Sequence, residues 1–173
     1  MKKLLATATL VLFAVAMVFA QGAPKKILSA SDVDAFVANY EALEADLDAL
    51  EGRYDYLFDP IDEQMEDETA DIAGVFGQMR GIDVPAEIRN IFKKHGMGSD
   101  GFEKMIVITA SYQTLEMDEQ MIQFEQQFKD NPDMLPYLDM AKNQNEEIKK
   151  VLHKGDIAVV KTRLEDLRSM FME

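Results

Sequence analysis

The two histidines are the first residues whose chemistry has to be weighed, and they share one local setting. His95 lies in Lys93-Lys94-His95-Gly96 and His153 in Lys149-Lys150-Val151-Leu152-His153-Lys154-Gly155. A general base needs an imidazole within reach of the proton it takes. Both of these sit among lysines just before a glycine, which is the composition of a helix C-terminus. There the cations meet the carbonyl end of the helix dipole and glycine supplies a left-handed cap. Structural capping is the reading for both. The chain has no cysteine and no Gly-x-Ser-x-Gly turn, so nucleophilic catalysis has no carrier. The expectation is a protein that is not an enzyme.

Metal chemistry has equally little to stand on. Glu-x-x-His, His-Glu-x-x-His and a calcium loop of the required spacing are all missing. Met117 and Met121 are four apart, a spacing that would present two thioethers to Cu(I) outside the cytoplasm. They also belong to an apolar stripe with Phe124 and Phe128, where methionine fills irregular gaps between helices. Core filling is preferred, and no metal or cofactor is expected.

What remains is a surface. Tyr54, Tyr56, Leu57 and Phe58 bunch together, and helical periodicity cannot bury all of them on one face. Some therefore cap the end of the molecule or meet a partner. Acids follow directly. From Glu41 to Asp71 there are thirteen acids and one base, Arg53. Such a run is by default a solvated face that aids solubility. The candidate partner surface is Tyr54, Tyr56, Phe58, Asp62, Glu63, Glu66 and Asp67, and the partner it suits is cationic or unfolded.

These residues need elements to hold them, and the chain starts with one to set aside. Lys2 and Lys3 precede an uncharged apolar run from Leu4 to Phe19, and Val18-Phe19-Ala20 has the pattern of a cleavage site. Residues 1–20 read as a signal peptide, with a mature chain beginning at Gln21 that is periplasmic or secreted. No other apolar run is long enough to span a bilayer, so an integral membrane protein is not expected. Losing Lys2 and Lys3 takes the formal charge from −14 to −16. That charge repels nucleic acid, so no nucleic-acid partner is expected.

Residues 21–30 read as a short flexible tether and 31–173 as one helical-bundle domain of the all-α class, with about six helices. Phe36, Tyr40, Leu43, Leu47, Leu50, Tyr54 and Leu57 recur at steps of four and three, the heptad seam of a first helix. Ser31, with Asp34 three residues on, is its candidate N-cap, and its end is placed near Phe58. Asp59-Pro60 starts a second helix carrying Ile61, Met65, Ile72, Val75, Phe76 and Met79. A short third helix turns Ile88, Ile91 and Phe92 inward and ends at Gly96. A long fourth runs from a cap at Ser99 to about Phe128. A fifth ends at Gly155, and a last one, capped by Asp156, carries Ile157, Val160, Leu164, Leu167 and Phe171. Such a molecule, monomer or homodimer, is expected to act through protein contacts, in an interaction or chaperone-like role. The alternative is a carrier holding a small apolar ligand around Met105 to Phe128.

Overall fold

Ser29 opens the first helix, two residues earlier than expected. Its backbone N–H donates to the Asp32 carboxylate at 2.8 Å, one half of a capping box, and α1 runs Ala30–Asp48. Asp34, the acid assigned to that cap, instead accepts from Arg163 at 2.7 Å. The computed structural model describes residues 24–50, 52–57, 59, 72–128, 131 and 134–172. Among them are seven α-helices, a 3-10 turn at Asp55–Leu57 and no strand. The class is all-α, as the periodicity indicates. No helix among the described residues is long and apolar enough to cross a membrane.

The heptad seam holds as packing but not as one helix. Phe36, Leu43, Leu47 and Leu50 are buried, with Tyr40, Tyr54 and Leu57 half-buried. Yet α1 stops at Asp48, ten residues short of Phe58. Gly52 sits beyond it at φ +79°, a left-handed conformation incompatible with a continuing helix. A glycine costing about 1 kcal/mol inside a helix is here a terminator rather than a bend.

Helix α2, Ile72–Gly81, buries Val75, Phe76 and Met79; Ile61 and Met65 lie outside the described residues. Helix α3, Ala86–Lys94, buries Ile88 and Phe92. It ends in a Schellman motif: Met97 N–H donates to Phe92 O at 3.0 Å and Gly96 N–H to Lys93 O at 3.1 Å, with Gly96 at φ +80°. Helix α4, Gly101–Phe128, is the axis of the fold and begins two residues after the expected cap at Ser99. Helix α5 covers Leu135–Val151. The expected last helix is two, α6 at Lys154–Lys161 and α7 at Leu164–Met172, parted at Thr162 and Arg163.

Helix α4 packs against α5, α6, α3, α2 and α1, while α1 also meets α3, α6 and α7. The α1 seam is therefore covered within the chain. Phe171 of α7 is the aromatic bolt, with ring centroids 4.8 Å from Tyr112 and 5.7 Å from Tyr40. Burial, reinforced by Glu44 and Asp48, pushes the Tyr40 phenol up to about 12. Arg168 adds ion pairs to Glu116 and Glu119 of α4 and to Glu165.

Candidate functional site

The two histidines part company. His95 is the C-cap of α3, as its setting implies, but its ring is buried and Nε2 stands 2.7 Å from Asp46 Oδ2 of α1. The same oxygen accepts from Lys94 Nζ at 2.6 Å. Asp46 is one of the acids read as a solvated face, and it is instead the joint between α1 and α3. His153 does not close α5, which ends at Val151. It is the N-cap of α6, with Nδ1 accepting from Gly155 N–H at 2.9 Å. Gly155 lies inside α6 and is not a left-handed cap. Two similar sequences thus do opposite jobs, because the chain turns straight into a new helix at His153.

Hydrogen bonds from Lys94 and His95 hold the Asp46 carboxyl below its ordinary 3.8. For Asp32, burial works the other way, but hydrogen bonds from Ser29 and Lys104 outweigh it and the net shift is again downward. A depressed folded value means stability that is present above pH 3.8 and is lost as pH falls through the folded value. Urea midpoints measured from pH 6 to pH 2.5 should therefore fall below about pH 4. Asp46→Asn should flatten part of that slope.

A polar seam runs between α4 and α5. Asn145 Nδ2 donates to Thr114 O at 3.1 Å and to Asp118 Oδ1 at 2.7 Å, and Lys149 Nζ reaches the same carboxylate at 2.6 Å. Lys142 pairs with Glu125 further along. Because falling numbers on α5 meet rising numbers on α4, the two form an antiparallel hairpin. Ser111 Oγ and Asn145 Oδ1 are buried there without a hydrogen-bond partner among the described residues. An unpaired buried hydroxyl costs about 1–3 kcal/mol, and alanine is the better helix former. Ser111→Ala should raise stability by about 1 kcal/mol, read from the urea midpoint at constant m-value.

The predicted partner surface is only partly placed. Tyr56 is 61% exposed, while Tyr54 is half-buried with its hydroxyl donating to Glu87 at 2.9 Å. Phe58, Asp62, Glu63, Glu66 and Asp67 lie outside the described residues. Nor is any group of three or more His, Cys, Asp or Glu among the described residues placed to hold a metal.

A different surface emerges at the hairpin end. The large apolar side chains exposed among the described residues are Tyr56, Ile122, Phe124, Leu135, Tyr137 and Met140. All but Tyr56 belong to the last turns of α4 or the first turns of α5. Phe124 falls on a stripe read as inward, yet it is 40% exposed. At 28 residues α4 spans roughly 42 Å, and its buried residues run from Gly101 to Leu115 with Met121 alone beyond them. Met121 is the last buried residue of α4. Hydrophobic pattern reports apolar positions, not which of them other helices cover.

No family model, curated protein or solved structure matches the chain.

Proposed function

We propose that this is an exported, acidic, non-enzymatic helical protein that works by binding other proteins, through the end of the α4–α5 hairpin. The observation that carries this is the gathering of Ile122, Phe124, Leu135, Tyr137 and Met140, all exposed, at one end of two adjacent helices. Single apolar residues scattered over a surface need no explanation, whereas five within the last turns of one helix and the first turns of the next call for one. The lack of a nucleophile or an unencumbered histidine supports a binding role over a catalytic one. Export is supported by the basic start and apolar run of residues 1–20.

Two measurements test the parts separately. Protein recovered from outside the cytoplasm should begin at Gln21; an intact Met1 on cytoplasmic protein would remove the export half. A photo-crosslinking residue placed at Tyr137 in the producing cell should yield discrete adducts. The same residue at Ala38, an exposed position on α1, should not. Equal or absent adducts at the two positions would overturn the contact role.

A further inference from the structure

We propose that Met140 is the site at which oxidants of the peroxide class convert this protein to a methionine sulfoxide. The change weakens the contact made by the hairpin end, a consequence that rests on the contact role above. The chain has no cysteine and no tryptophan, so its soft, oxidisable sulfur is all thioether. Those thioethers are graded by depth. Met97 is 1% exposed, and Met79 and Met121 are buried as well. Met79 and Met97 belong to the core, and Met105 and Met170 pack against it. Met117 and Met134 are half-buried. Met140 is 47% exposed, the one exposed methionine among the residues whose side chains are described.

The reaction is a two-electron oxygen transfer. The sulfur lone pair attacks one oxygen of hydrogen peroxide, and the S–O bond forms as the O–O bond breaks. Hydroxide leaves and takes the proton from the transferred oxygen, so sulfur is oxidised and the peroxide ends as water. A thiol-dependent reductase reverses the step, releasing the oxygen as water and closing a disulfide on itself. The fold decides where this is tolerated. A sulfoxide at Met97 or Met121 places a polar S–O group in a close-packed interior. Helix α5, by contrast, is seated through Leu138, Gln144, Asn145 and Ile148, and Met140 neither builds the core nor packs against it. Its new oxygen is hydrated and the helices keep their seating. What changes is the surface. Met140 lies one turn from Tyr137, also exposed, within the apolar end. Sulfoxidation replaces a flexible apolar side chain there by a polar, chiral one, which any contact that buries it must desolvate.

The test treats the full mature chain with hydrogen peroxide and follows the gain of one oxygen at each methionine by peptide mass mapping. Met140 should convert about tenfold faster than Met79, Met97 and Met121. Chain oxidised at Met140 alone should keep the parent circular dichroism and urea midpoint. The Tyr137 crosslink in the producing cell reads the consequence. A pulse of peroxide should lower the adduct yield several-fold in the parent but not in Met140→Leu, which keeps the apolar volume without the sulfur. Met140→Gln, polar and uncharged like the sulfoxide, should give the low yield without peroxide. Conversion of Met140 no faster than of Met97 would overturn the proposal. So would an equal fall of adducts in Met140→Leu, or undiminished adducts from protein whose Met140 is fully oxidised. If untreated cells give no more adducts at Tyr137 than at Ala38 while Met140 still converts first, the contact role falls with the surface consequence, and the oxidation site stands.

Discussion

Gly101→Ala should destabilise the protein by about 2–3 kcal/mol, against the direction that helix propensity alone gives. Alanine is the better helix former by about 1 kcal/mol, and Gly101 is the first residue of α4. The opposing term is space. A Cβ at Gly101 would fall 2.5 Å from Phe92 Cβ, 2.7 Å from its Cγ and 2.8 Å from its Cδ1. The nearest of these atoms is fixed to the α3 backbone, so no rotamer change relieves it. Phe92 is fully buried and packs edge-on to Phe102 at 6.2 Å, so the ring has nowhere to turn. Helix α4 would have to lift off α3, and the overpacking cost exceeds the propensity gain. Thermal unfolding of Gly101→Ala beside the parent reads the sign directly. Adding Phe92→Leu should rescue little, because leucine keeps the Cβ that causes the closest clash. A Tm equal to or above the parent's would mean that the α3–α4 spacing is not set by this glycine.

The close approach at Gly101 cannot be read from the chain around it, whereas much of the fold can. The apolar periodicity of Val75, Phe76, Met79, Ile88 and Phe92 is intrinsic to the sequence, and each of these residues is buried. The Gly96 stop is written in local chemistry, lysines followed by glycine, and the Schellman motif follows. Tertiary choices are not local in this way. Nothing in the stretch around Asp46 distinguishes it from Glu41, Glu44 or Asp48; it is singled out by lying opposite His95 once α3 crosses α1. Likewise His153 and His95 have nearly identical neighbours, and what separates them is whether the chain re-enters a helix immediately. The apolar end of the hairpin is hidden for a third reason. Ile122, Phe124 and Tyr137 have the composition of core, and their exposure depends on tertiary packing that the local sequence does not encode.

Asp156 makes the same point with the second large expected effect. Its position after Gly155 reads as a helix cap, yet the cap is His153, and the Asp156 carboxylate serves a segment 128 residues away. It is 1% exposed and accepts from Leu28 N–H at 2.8 Å and from Ile27 N–H at 3.2 Å through either oxygen. The stretch before α1, expected to be a free tether up to residue 30, is held here, with Leu28 in the core. Asp156→Ala should cost about 3 kcal/mol, since the hydrogen bonds to both of its side-chain oxygens are lost and the buried Leu28 N–H is left unpaired. Asp34→Ala, which removes the exposed pair with Arg163, should cost only a small fraction of that. Hydrogen exchange separates this account from general loosening. In Asp156→Ala the Ile27 and Leu28 amides should lose protection well beyond the global change. In Asp156→Asn the carbonyl oxygen standing at the Oδ1 position can still accept from both amides, while the new NH2 replaces the second acceptor of Ile27, so protection should survive at Leu28 and be reduced, but not abolished, at Ile27. Uniform loss across α6 in both variants would mean that the carboxylate holds its own helix rather than the start of the chain.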